Sequence, residues 1–300
     1  ADAIAEILRR EGMEMMIGYP VNHVLERGAA AGIRPIIVRQ ERTGVHMADA
    51  ISRVTSGEKL GMFAMQYGPG TENAYGGIAQ AYAESVPVLI VPGGYARRLA
   101  WVGRNYNAPL KMRDITKSAE PLTSGKDVLA VMRRAFQQLR SGRGGPVLVE
   151  IPADVWDEEA DSSDYVPSKR LRTGPDMEAV RDAAKALLAA KRPVIYAGQG
   201  IHWSKAWDEL KRLAELLAIP VCTSLPGKSA FDETHQLALG SGGAAYPATV
   251  HHFLKESDVI FGIGCSFTST AFGAKIPGGK SIIHSTIDAA DINKDVGSTL

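Results

Sequence analysis

Three short stretches near the start of the chain combine residue types that can hold a ligand or work on one: Gly18-Tyr19-Pro20, Gln40-Glu41 and Gly68-Pro69-Gly70-Thr71-Glu72-Asn73. Each follows an apolar run of strand length. In a parallel sheet ligands bind beyond the carboxyl ends of the strands, so these turns are where chemistry would sit. A glutamate can donate or accept a proton, two glycines flanking a proline let backbone approach a ligand closely, and Thr71 is placed to cap the helix that follows. On residue types alone the same turns also read as ordinary turn chemistry, and Glu41 as an exposed carboxylate at a helix start, where acids are favoured.

The elements that must position these residues follow from apolar periodicity. Helices are predicted over 2–12, 22–31, 43–54 and 71–84, and strands over 13–17, 35–38, 60–65 and 87–91. A helix over 126–140 then leads through Gly144-Gly145-Pro146 into a strand at Val147-Leu148-Val149. This alternation implies a parallel sheet covered by helices on both faces. Between Asp157 and Pro175 the chain is acidic, contains Ser and Pro, and loses its periodicity, as a linker does. Beyond it the pattern restarts, with helices over 177–190 and 205–217 and strands at 194–196, 219–222, 259–263 and 282–287. The fold class expected is α/β with two doubly wound parallel-sheet domains: residues 1–160, a linker over 161–176, and a Rossmann-like domain over 177–300.

Composition bounds the partners. With 34 Lys+Arg against 33 Asp+Glu and no run of like charge, nothing marks a nucleic-acid or membrane surface. Cys222 and Cys265 lack the spacing of a disulfide framework or a zinc site and read as buried apolar fillers. The first residues lack a signal-peptide pattern, and no segment reaches the apolar length that spans a bilayer, so a cytoplasmic location is the expectation.

Together the three turns resemble the pyrimidine-binding domain of thiamine-diphosphate enzymes of the acetolactate synthase and benzoylformate decarboxylase type, from about residue 1 to Trp156. The stretches from Gly77 to Val88 and from Gly145 to Val155 extend the resemblance in the same order. It implies that Glu41 is the family glutamate, which hydrogen-bonds N1′ of the cofactor's aminopyrimidine and promotes the tautomer that removes the thiazolium proton. It also implies that Pro20, Gln66, Gly68, Gly70 and Asn73 lie around the cofactor, with Gln66 where some decarboxylases carry a working histidine. Val21 departs from the small residue that commonly follows the Gly-Tyr-Pro turn. Residues 193–200, 258–264 and 284–288 resemble the family's central domain, which in different relatives holds FAD, a nucleotide or nothing. Ser266-Phe267-Thr268-Ser269-Thr270 replaces the Asp-Asp-Arg stretch of acetolactate synthases, which argues against FAD.

The family's Gly-Asp-Gly and Asn-Asn elements, which hold the diphosphate and its magnesium, do not occur in these residues. The resemblance therefore implies the N-terminal part of a longer, homodimeric or homotetrameric 2-oxo acid decarboxylase or carboligase. Such a chain would be inactive alone, with an incomplete central domain and no metal ligands of its own. Two alternatives stay open: a non-catalytic nucleotide-binding homologue, and one subunit of a split enzyme whose pyrophosphate domain is a separate chain.

Overall fold

The computed structural model describes residues 1–245 and 247–300, which divide into two compact units, Ala1–Arg172 and Thr173–Leu300. The first unit runs α1 (Asp2–Arg10), β1 (Met15–Gly18), α2 (His23–Ala30), β2 (Arg34–Ile37), α3 (Glu41–Val54), β3 (Gly61–Met65), α4 (Pro69–Ala83) and β4 (Val88–Gly94). It continues with α5 (Ala108–Lys111), β5 (Ser118–Pro121), α6 (Val128–Arg140) and β6 (Val147–Pro152). The strands form one parallel sheet in the order β2-β1-β3-β4-β6-β5.

Burial explains the order of the strands. β3, β4 and β6 are buried along their whole length, as continuous apolar runs covered on both faces must be. β2 and β5 are the edges and are largely open to solvent. On one face Ile4, Ile7 and Leu8 of α1 and Val128, Val131, Met132, Ala135, Phe136 and Leu139 of α6 bury apolar stripes at helical spacing against Met16, Met62, Leu89, Val147 and Val149. On the other face α3 packs against both β3 and α4.

Residues 161–172, read from composition as part of a linker, pack onto the first unit. Tyr165 is buried and its hydroxyl donates to Glu11 at 2.5 Å, while the Ser168 amide donates to the same carboxylate at 3.1 Å. Arg140 forms a buried ion pair with that carboxylate.

The second unit runs α7 (Met177–Ala189), β7 (Pro193–Ala197), α8 (Gly200–Ser204), α9 (Trp207–Leu217), β8 (Val221–Ser224), β9 (Ala238–Gly242), α10 (Ala248–Glu256), β10 (Val259–Ile263) and β11 (Ser281–Ser285). Its parallel sheet has the order β11-β10-β7-β8-β9. Two doubly wound parallel-sheet units agree with the expectation, and the structure adds β5 and β9, which the sequence reading did not contain. Cys222 and Cys265 are buried and free, and burial pushes each thiol up to about 12. Among the described residues no helix is long and apolar enough to cross a membrane.

Candidate active site

In the first sheet the chain passes from β1 outward to β2 and from β3 outward to β4 on the other side, so the strand order reverses between β1 and β3. A doubly wound sheet opens a crevice at the carboxyl ends of such a pair. Two of the three turns lie there. The Tyr19 amide donates to the Ala64 carbonyl at 2.9 Å, holding the Tyr19-Pro20 turn against the end of β3, which runs directly into Gln66, Gly68 and Gly70. Pro20 is exposed and Gln66 half-buried.

Asn22 fastens the two sides of this crevice. Its side-chain amide donates to the Met65 carbonyl at 2.8 Å and to the Val91 carbonyl at 2.9 Å, at the end of β3 and in the middle of β4, while its Oδ1 accepts from the Val24 amide at 3.0 Å and caps α2. One buried side chain thus bonds three backbone groups from β3, β4 and α2.

Gly68 and Gly70 are required by close approach. Gly68 has φ +55°, and a Cβ there would stand 3.1 Å from the Tyr95 hydroxyl; at Gly70 it would stand 2.8 Å from Cγ of Gln66. The helix α4 begins between them, with Pro69 in its first turn. Thr71 does not cap it: Gly68 is the N-cap, and the Thr71 hydroxyl is fully buried without a hydrogen-bond partner.

Glu41 opens α3, whose N-cap Gln40 accepts from the Thr43 amide at 2.9 Å. The carboxyl-bearing residue is only 4 % exposed, so the reading of Glu41 as an exposed helix-start acid does not hold. Its carboxyl has no hydrogen-bond or ion-pair partner among the described residues. α3 is seated by close contacts: a Cβ at Gly44 would stand 2.2 Å from the Phe63 ring, and one at Gly77 would stand 2.9 Å from Val45 Cβ and 3.2 Å from the Arg42 carbonyl. Arg42, next to Glu41, therefore lies against Gly77, one turn along α4 from the exposed Asn73. Glu41 and Asn73 thus come from neighbouring parts of two packed helices.

The segment after β4 borders the same end of the sheet. Tyr95 packs on Tyr67 with ring centroids 4.8 Å apart, and burial with the nearby Glu72 pushes the Tyr106 hydroxyl above its ordinary value. In β6, Glu150 is buried at 6 % exposure, and desolvation pushes its carboxyl up to about 7, with the Ala108 backbone amide a smaller, opposing influence. The sequence places Glu150 inside a resemblance without giving it a role, and Asn22 was not singled out at all.

The corresponding reversal in the second unit falls between β7 and β10. There the turns touch each other: the Gly198 amide donates to the Ile263 carbonyl at 2.9 Å and the Gly200 amide to the Gly264 carbonyl at 2.8 Å. A Cβ at Gly198 would meet the Gly264 oxygen at 2.2 Å, so these glycines serve backbone packing.

Two doubly wound units follow each other in the chain, and in the first the Glu41 carboxyl and the buried Thr71 hydroxyl, on α3 and α4, have no hydrogen-bond partner among the described residues. Residues 1–110 match the model of the thiamine pyrophosphate enzyme N-terminal TPP binding domain, and residues 180–300 match that of the thiamine pyrophosphate enzyme central domain. The chain is 32 % identical to the large subunit of acetolactate synthase isozyme 3 of Escherichia coli K12, with 99 % of this chain and 54 % of that protein aligned. It is 32 % identical to the acetolactate synthase large subunit of Haemophilus influenzae, over 99 % of this chain and 54 % of that one. A solved structure assigned as a thiamin diphosphate-dependent enzyme of Mycobacterium smegmatis superposes with a TM-score of 0.79 at 26 % identity, covering 93 % of this chain and 55 % of that chain. The chain belongs to the thiamine pyrophosphate enzyme family, carries its N-terminal and central domains, and is homologous to acetolactate synthase large subunits. It spans about half the length of the relatives it matches.

Proposed function

We propose that these residues supply the pyrimidine-binding half of a thiamine-diphosphate site that decarboxylates a 2-oxo acid, with or without ligation to a second carbonyl. The observation that carries this is Glu41: a residue only 4 % exposed whose carboxyl has no hydrogen-bond or ion-pair partner among the described residues, held at the opening of α3 beside α4. A largely enclosed carboxyl with no partner on the surrounding elements favours a ligand that can hydrogen-bond it. The cofactor's aminopyrimidine, an array of nitrogen donors and acceptors, fits that demand. When bound, thiamine diphosphate supplies the carbanion that attacks the carbonyl and the electron sink that lets carbon dioxide leave.

The protein's own residues have the simpler tasks. Glu41 would hold the bound aminopyrimidine and exchange a proton with one of its ring nitrogens. Pro20, Gly68 and Gly70 shape the crevice walls, and Gln66 and Asn73 offer amide donors and acceptors at its rim. Gln66 cannot shuttle a proton as a histidine would, so acid-base work falls to Glu41. Diphosphate and Mg2+ would be held by the pyrophosphate half, from further chain or from a separate subunit, so the 300 residues alone should not turn over. The turns of the second unit pack on each other, which supports a central domain without FAD. The balanced charge supports a small soluble substrate rather than nucleic acid or a membrane surface, and the family likeness supports a cytoplasmic homo-oligomer.

The test is Glu41→Gln in the protein as its source produces it. Consumption of 2-oxo acids should fall by roughly two to four orders of magnitude with the circular dichroism spectrum unchanged. Activity within a few-fold of the parent would remove Glu41 from the mechanism and favour a binding protein.

A further inference from the structure

One residue at the mouth of the first unit's crevice holds a backbone conformation that its side chain resists. Val21, in the turn between β1 and α2, has φ +72°, where a branched side chain crowds the backbone and glycine would sit freely. The turn cannot relax around it. Before it, the Tyr19 amide is bonded to the Ala64 carbonyl of β3. After it, Asn22 is bonded to the Met65 and Val91 carbonyls and to the Val24 amide. Leu25 of α2 fills the space beside Gly18, where a Cβ would stand 2.4 Å from its Cδ2. These contacts over-determine the turn, which is how a strained residue persists.

Within this unit the valine methyls gain nothing in return. Val21 is 75 % exposed, whereas Asn22 beside it is buried. Pro20 is exposed as well, so two adjacent apolar side chains form a lip at the carboxyl end of β1, on the side of the crevice that opens between β1 and β3. Glycine or asparagine is the ordinary occupant of an exposed left-handed position. A branched apolar residue there is accounted for by a ligand that buries it. In a 2-oxo acid the carboxylate and the carbonyl call for polar partners, and the side chain is the part that an apolar lip fits.

We propose that Val21 is a specificity-determining residue: its isopropyl group meets the side chain of the 2-oxo acid and sets an upper limit on that side chain's length. The inference rests on the reading of this crevice as the site of 2-oxo acid chemistry, and adds to it which part of the substrate faces the turn 19–22. The bracing makes the limit sharp, since a wall that cannot retreat excludes a longer side chain instead of accommodating it.

The test is kcat/KM for pyruvate and for 4-methyl-2-oxopentanoate, measured on the complete protein as its source produces it, in the parent, Val21→Ala and Val21→Gly. Both variants remove the two methyls, and only glycine also frees the backbone. The parent should favour pyruvate, and in each variant the ratio of the longer acid to the shorter should rise at least about tenfold, as expected when room for a few methylenes opens in an apolar site. A parent that uses both acids equally, or a ratio unmoved in the variants, overturns the proposal. So does a rise in Val21→Gly alone, which would come from the backbone and not from the methyls. An unmoved ratio with weakened subunit assembly overturns it too, by placing the methyls against another part of the enzyme. Glycine relieves the strained position, so Val21→Gly decides the matter even if Val21→Ala does not fold. Turnover of neither acid by the parent removes the reading of the crevice and this inference with it. If Glu41→Gln abolishes turnover while the Val21 variants leave the ratio unmoved, that reading stands and the role of Val21 alone falls.

Discussion

Val21 sits at φ +72° with its side chain 75 % exposed, between the Tyr19-Pro20 turn and the Asn22 fastener. A β-branched residue in the left-handed region is strained by about 1–2 kcal/mol, and nothing buried compensates the valine methyls. The strain is held in place because Asn22 on one side and the Tyr19 amide on the other are both bonded to the sheet. Val21→Gly should therefore raise stability by up to about 1 kcal/mol, the relief being partly offset by glycine's freedom in the unfolded chain. A denaturant midpoint that moved down would contradict this. Asn22→Ala should act in the opposite sense, costing about 2–4 kcal/mol, because it leaves two buried carbonyls and a helix amide unpartnered. Urea unfolding measures both. Asparagine after a turn has many uses, and nothing in the sequence shows that this one reaches two neighbouring strands. Glu41 is the reverse case: its place at a helix start is legible from spacing, its importance came from resemblance, and its burial needed the packed helices.

The helix α3 carries Glu41, and its distance from the sheet is set by glycines. A Cβ at Gly61 would stand 1.9 Å from the Ala48 carbonyl oxygen, a backbone atom that cannot swing aside. Gly61→Ala should push α3 off β3, cost about 1–3 kcal/mol, and displace Glu41 from its seat. Thermal unfolding gives the first effect. Calorimetric titration of the complete protein with thiamine diphosphate gives the second, as affinity lost beyond what Gly94→Ala, which touches Glu150 and not α3, would lose. The long amphipathic helices and the continuous buried strands are the part of the fold that periodicity reveals, since burial on one or both faces writes the pattern. Edge strands escape it. Ser118-Ala119-Glu120-Pro121 of β5 is only half covered and has no apolar alternation, and Ala238-Leu239-Gly240-Ser241-Gly242 of β9 contains two glycines, one at φ +102°. Backbone pairing with a neighbour defines such strands, and that information lies elsewhere in the chain.

Each unit closes its own parallel sheet and its own apolar core, and this makes the energetic consequences of a substitution local. The composition shift around residues 157–175 shows that a boundary exists, but not on which side its residues pack. Tyr165 and Ser168 go to the first unit because they share the Glu11 carboxylate with Arg140. That carboxylate is wholly buried, and Arg140 is its only charged partner among the described residues. Removing one member of a buried ion pair leaves the other charge uncompensated, which costs about 3–5 kcal/mol. Arg140→Met, which keeps the length of the side chain and discards its charge, should lower the unfolding transition of the first unit by that amount and free residues 161–172. The second unit, which has no part in this network, should unfold at its parent midpoint. Calorimetry resolves the two transitions, and hydrogen exchange at Tyr165 reports the release of the strap. A single transition shifted as a whole would show instead that the two cores unfold as one cooperative body.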